Sequence, residues 1–124
     1  MMIRLEFSAA DPRRIFSAPA AAFRFGPDGV TADPGGHQVA RFSGRMWEID
    51  GRHFTRCECR GPARVQLEDT DGQLTEPLGP FDALALYGGS LYHKGALLAR
   101  FDEAGRVWHA VQSKAVYTAI VIRV

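Results

Sequence analysis

At 124 residues the chain is long enough for one ordinary domain and too short for two. Its 46% hydrophobic and 23% charged residues belong to a globular chain, not a disordered one. Fifteen Lys and Arg against fourteen Asp and Glu leave a net charge of +1, which excludes a general nucleic-acid coat or an acidic tail.

In chain order the residues read as short strands joined by tight turns. Ile3, Leu5 and Phe7 alternate with Arg4, Glu6 and Ser8, the period of a half-buried strand. The stretch from Ala9 to Gly36 holds four prolines (Pro12, Pro19, Pro27 and Pro34) and little periodicity. There Asp11-Pro12 predicts a short helical turn through Ile15, and the rest reads as a long loop interrupted by one strand at Phe23-Arg24-Phe25. Alternation returns at Trp47 and Ile49, at Val65 and Leu67, at 84–87, at 97–101 and at 106–111. The last run, 115–124, is apolar on both faces until Arg123, as in a central strand covered on both sides. Asp28-Gly29, Asp50-Gly51, Asp71-Gly72, Gly88-Gly89 and Ala104-Gly105 fall between these runs, where Gly supplies the positive φ of hairpin turns. The fold class expected is all-β, a single antiparallel β-sandwich or compact β-barrel over residues 1–124, with the Pro/Gly-rich N-terminal segment draped over one end.

Met1 to Phe7 alternates charged and apolar residues and lacks the apolar core of a signal peptide. Ala115 to Ile122 is less than half of the roughly 20 residues a membrane helix needs. Two cysteines are too few for a secreted disulfide framework, and the absence of Asn excludes N-glycosylation. A cytoplasmic, reduced protein that does not engage a membrane is the expectation.

One segment carries side chains of chemical interest. Read as a strand, Arg52 to Arg60 puts His53, Thr55, Cys57 and Cys59 on one face and Arg52, Phe54, Arg56, Glu58 and Arg60 on the other. Two thiols and an imidazole are ligand types for zinc or iron, and a Cys beside a His can act as a nucleophile. The spacing opposes a metal: side chains two apart on a strand start about 6.5 Å apart, and thiolates sharing one zinc approach within about 4 Å. Cys57 and Cys59 are therefore expected as small, reduced, buried hydrophobes, with no metal or cofactor required. The Arg52, Arg56 and Arg60 row with Phe54 suits phosphate or nucleic-acid binding. Residues 41–64 hold six Arg against three carboxylates, but 65–82 answer with five carboxylates and no base. That compensation favours a solvated face matched by Glu48 and Glu68. His93 and His109 fall in phase with apolar neighbours and are expected to be half-buried and hydrogen-bonded.

The hairpin register decides which face is which. A three-residue loop, Ile49-Asp50-Gly51, pairs Glu48 with Arg52 and Trp47 with His53. It is preferred to a two-residue Asp50-Gly51 turn because it opposes unlike charges outside and groups Trp47, His53, Thr55 and Cys57 inside. No nucleophile elbow, P-loop, dinucleotide-binding glycine pattern or metalloprotease helix motif occurs. The leading expectation is a non-catalytic binding or interaction module for a protein or small ligand, its functional surface lying where Gly26 to His37 meets neighbouring loops. The second is a metal-binding or thiol-dependent enzyme using His53, Cys57 and Cys59. The third is phosphate or nucleic-acid binding through Arg52, Phe54, Arg56 and Arg60.

Overall fold

Period-2 alternation becomes strand throughout, and no helix occurs among the described residues. The computed structural model describes residues 2–9, 15–33, 35–43, 45–112 and 114–124. Its strands are β1 (Ile3–Ser8), β2 (Ile15–Ala20), β3 (Ala22–Gly26), β4 (Gly29–Asp33), β5 (His37–Ser43), β6 (Met46–Ile49) and β7 (Arg52–Phe54). They continue with β8 (Arg56–Asp69), β9 (Leu78–Tyr87), β10 (Ser90–His93), β11 (Ala96–Phe101), β12 (Val107–His109) and β13 (Lys114–Arg123). Every strand pairing is antiparallel. With no helix of any length here, no helix is long and apolar enough to cross a membrane.

The six strands β8 to β13 close into a barrel, because β13 pairs with β12 on one side and returns to β8. The hinge of this arrangement is the fourteen-residue β8. Its first half, Arg56–Arg60, pairs with β1, and its second half, from Arg64 onward, pairs with β13. Gly61 and Pro62 occupy the changeover, where Gly61 takes φ 110° and the missing N–H of Pro62 falls between the two ladders. β1 and β2 extend the sheet beyond β8, and β3 to β7 extend it beyond β13.

The alternating faces meet in one core. Ile3, Leu5 and Phe7 of β1 pack with Phe23 and Phe25 of β3, with Trp47, and with Leu86, Leu91, Ile120 and Ile122 of the barrel strands. Trp47 lies edge-on to Phe7 and Phe25, with ring centroids 6.0 and 5.9 Å away, in the geometry aromatic quadrupoles favour. β13 is central as expected, with three strand neighbours, although Val116 near its start is exposed.

Three expectations are corrected. The hairpin at Asp50-Gly51 has a two-residue turn, pairing Ile49 with Arg52, Glu48 with His53 and Trp47 with Phe54. Asp50 and Gly51 adopt φ of 50° and 78°, the left-handed pair of a primed turn that matches strand twist. The energetic reason is burial: placing Phe54 opposite Trp47 hides a phenyl ring worth about 2–3 kcal/mol, whereas an exposed Glu48–Arg52 pair would contribute at most about 1. The segment from Gly26 to His37 is not a long loop: Gly29–Asp33 within it form β4, paired with β3 on one side and β5 on the other. The N-terminal segment is not simply draped, since β2 is an edge strand paired to β1 with Pro19 inside it. An edge strand tolerates Pro, and its weak alternation hid it from a periodicity reading. The helical turn expected at Asp11-Pro12 lies outside the described residues, apart from Ile15, which opens β2.

Candidate functional site

The chain bends at Thr55, whose N–H donates to the Ser8 carbonyl at 3.0 Å between β7 and β8. This one unpaired position reverses the side-chain phase, so Phe54 points inward before it and Cys57 points inward after it. His53 is therefore exposed on β7, its Nε2 3.3 Å from the Glu48 carboxylate, while Cys57 and Cys59 are buried in the core. The three residues are not brought together. Burial pushes the Cys57 thiol well above its ordinary range, with the charges of Cys59 and Glu58 adding, and raises Cys59 to about 12. Both thiols stay protonated at neutral pH, the opposite of what a nucleophile or metal ligand requires. Among the described residues no group of three or more His, Cys, Asp or Glu is placed to hold a metal ion.

The arginine row is divided too. Arg56 and Arg60 point outward from β8, but Phe54 points into the core and Arg52 is exposed at the far edge of the sheet, on β7. Charge matching comes from within the strand and from β1, not from Glu48 and Glu68. Glu58 takes Arg56 on one carboxylate oxygen and the Arg60 Nη2 on the other at 2.9 Å, and Glu6 takes the Arg60 Nε at 2.8 Å. Glu68 instead binds Arg24 at 2.8 Å. His109 is buried, its Nδ1 accepting from the backbone N–H groups of Val111 and Gln112 at 3.2 Å, and His93 is partly buried against the Phe81 ring.

The outward faces of β8, β9 and β10 enclose a groove of about 590 Å³. The register accounts for it: Arg56 lies opposite Tyr87, Glu58 opposite Ala85 and Arg60 opposite Ala83, while Tyr92 of β10 lies opposite Ala85 from the other side. Small side chains at 83 and 85 thus make a low floor between two taller walls. One wall is the Arg56–Glu58–Arg60 chain, with the Arg56 guanidinium 4.9 Å over the Tyr87 ring. The other is Tyr92, edge-on to Tyr87 with centroids 6.2 Å apart.

Lys94, at left-handed φ 49° in the β10–β11 turn, closes one end beside Asp82. Hydrogen bonds from its own backbone, then the Lys94 charge, hold the Asp82 carboxyl below its usual range. Hydrogen bonding to Glu6, then the charges of Glu6 and Glu58, raises Arg60. Both groups are thereby fixed in their charged forms at neutral pH. Three cations (Arg56, Arg60, Lys94) and two carboxylates (Glu58, Asp82) line the groove, and Glu6 of β1, outside the lining, pairs with Arg60 and offsets the remaining charge.

Sequence reasoning found Arg56 and Arg60 but missed Ala83, Ala85, Tyr87 and Tyr92. The signal was present in Leu84-Ala85-Leu86-Tyr87, where the residues alternating with the inward leucines are a small one and an aromatic one. Comparison with protein-family models, with curated proteins and with solved structures finds no match to the chain.

Proposed function

We propose that the chain is a non-catalytic binding module that holds a small ligand with a flat, uncharged body in the groove across β8, β9 and β10. The observation that carries this reading is the alanine floor between an aromatic wall and an Arg–Glu wall whose two guanidinium groups are paired by Glu58 and by Glu6 of β1. Volumes of roughly 300–1,000 Å³ suit small organic ligands, and a mostly apolar lining with a few fixed polar groups is their usual environment. A flat ring laid on Ala83 and Ala85 contacts Tyr92 on one side and the Arg56–Tyr87 stack on the other. A charged ligand would have to compete with ion pairs already formed, or remain unpaired itself. The charged groups also support binding over catalysis: Asp82 and Arg60 are shifted away from neutrality, so neither is poised to pass a proton.

Amide NMR titration with uncharged planar rings (indole, quinoline, adenosine) tests it. Saturable shifts are expected at Ala83, Ala85, Tyr87 and Tyr92. Ala85→Leu, which fills the floor, and Tyr92→Ala, which removes a wall, should each weaken binding at least about tenfold, about 1.4 kcal/mol. Shifts confined to other surfaces, or binding untouched by both substitutions, would overturn the reading.

A further inference from the structure

A second concave surface lies where three hairpin turns meet: β5–β6 with Arg45, β9–β10 with Gly88-Gly89, and β11–β12 with Asp102 to Gly105. The cleft there measures about 690 Å³ and is lined by three arginines, Arg45, Arg100 and Arg106, against Asp102 and Glu103. Asp102 is committed. Its Oδ2 takes the Arg106 Nε and the Trp108 Nε1, both at 2.9 Å, and its Oδ1 takes the backbone N–H groups of Ala104 and Arg106. Among the described residues, Arg45 and Arg100 have no carboxylate within ion-pair distance, and Glu103 is the one lining carboxylate left to face them.

The Arg100 guanidinium is held in place, and the Arg45 stem is directed by its turn. The Arg100 guanidinium stacks on Trp108, 5.2 Å from the ring centroid, and Trp108 is fixed by its bond to Asp102. Arg45 occupies the turn between the paired residues Ser43 and Met46 at φ 73°, a left-handed conformation in which an L side chain is strained and Gly is not. Its aliphatic stem runs past Gly88, where an added Cβ would stand 3.8–3.9 Å from Arg45 carbons. Gly88 and Gly89, at φ 50° and 84°, line the same cleft as the two arginines without adding side chains to it. The left-handed φ is the one a two-residue hairpin turn demands, as at Asp50, and it sets the direction in which the Arg45 stem leaves the turn.

We propose that this cleft is an oxyanion site in which Arg45 and Arg100 clamp a phosphate group. Two planar guanidinium forks offer the paired donors that a tetrahedral dianion accepts, and their two positive charges exceed what a single carboxylate needs. Phe42 and Phe101, half-buried at the wall of the cleft, stand where an organic group esterified to that phosphate would lie. The site is separate from the groove across β8, β9 and β10 and does not depend on it.

The test is an amide NMR titration of the whole chain at low ionic strength with inorganic phosphate, phenyl phosphate and chloride. Phosphate should shift Gly88, Gly89 and Arg100 saturably, more weakly as salt is added. Arg45→Gln and Arg100→Gln should each weaken it about tenfold or more. Arg45→Gly should weaken it equally while melting no lower than the parent, because the strain is relieved. Equal affinity for the two phosphates identifies the free anion as ligand, and tighter phenyl phosphate identifies a phosphorylated organic molecule; either supports the site. Shifts reproduced by chloride at matched ionic strength, or phosphate binding unchanged in both glutamine variants, would overturn it.

Discussion

The buried thiols give the sharpest separation between a binding module and a thiol-dependent enzyme, because their protonation couples to both reactivity and stability. With Cys59 raised to about 12, its thiolate fraction at pH 8 is about one part in ten thousand, against about a tenth for an ordinary thiol at 9.0. Alkylation by iodoacetamide should therefore be about a thousandfold slower in the native protein than in urea, before any steric exclusion.

The same shift makes stability depend on pH in one direction. Below about 9 both folded and unfolded chains hold the thiol protons, and the cysteines contribute no pH dependence. Above it the unfolded chain releases protons that the folded chain retains, so stability falls as pH rises from 9 toward 12. At pH 10 the loss from Cys59 is about 1–2 kcal/mol, and Cys57 adds to it in the same direction. Urea unfolding followed by tryptophan fluorescence at pH 7 and pH 10 measures it. Cys57→Ala/Cys59→Ala should lose at least about 1 kcal/mol less between those two pH values than the parent, with tyrosine and lysine titration cancelling in the comparison. Native alkylation at the unfolded rate, or identical pH dependence in parent and double variant, would refute the burial argument and return the cysteines to consideration as reactive groups.

Gly51→Ala and Gly29→Ala should differ although the substitution is the same. At Gly51 a Cβ meets nothing within 4 Å and the penalty is the left-handed φ alone, about 1 kcal/mol or a few degrees of melting temperature. At Gly29 it would collide with the Ala40 carbonyl oxygen, so the β4–β5 ladder must part and the loss should be at least twice as large; equal melting temperatures would contradict this. Asp102 is held near 2, first by the Trp108 indole and then by the Arg106 backbone and guanidinium. Its contribution is therefore present above the ordinary carboxylate value of 3.8 and lost as pH falls from about 4 through 2. The Trp108 indole N–H resonance should shift with a midpoint near 2, and a midpoint near 4 would deny the bond. Trp47→Phe should cost only about 1–2 kcal/mol by urea unfolding, because the buried Trp47 Nε1 has no partner among the described residues and Phe removes that unpaired donor. A loss near the 3–5 kcal/mol of a Trp→Ala change would mean the indole N–H is satisfied.

The strands legible in the sequence were those with one clear face. Ile3-Arg4-Leu5-Glu6-Phe7 and Val65-Gln66-Leu67 declare themselves by alternation, and the Asp-Gly and Gly-Gly pairs mark turns where left-handed φ is needed. β2 and β4 were not legible: Ile15 to Ala20 includes Pro19 and two alanines, and Gly29 to Asp33 has only Val30 as a large apolar residue. Such strands are stabilised by the neighbours they pair with more than by their own pattern. Closure of the barrel was also out of reach, since it rests on β13 meeting β8 across about fifty residues, a contact that no local pattern encodes.

The candidate sites were harder to read than the strands because each depends on a junction. His53, Cys57 and Cys59 look like one constellation while 52–60 is treated as a single strand. One residue at Thr55 outside the ladders moves the imidazole to solvent and leaves the thiols inside, and that rearrangement favours the core by burying Phe54 against Trp47. The groove shows the converse. Arg56 and Tyr87 are distant in sequence and unremarked by any motif, yet the β8–β9 register sets guanidinium over ring and leaves Ala83 and Ala85 as the floor. The turn end follows the same logic: Arg45 stands in no motif of the sequence, yet its stem passes Gly88 of another turn, with Arg100 lining the same cleft. In a sheet whose faces are otherwise committed to core or to matched charge, the chemically open positions are those where small residues on one strand lie beside large polar or aromatic ones on the next. Function here is a property of pairs across strands, and pairing is what a reading of one strand at a time cannot supply.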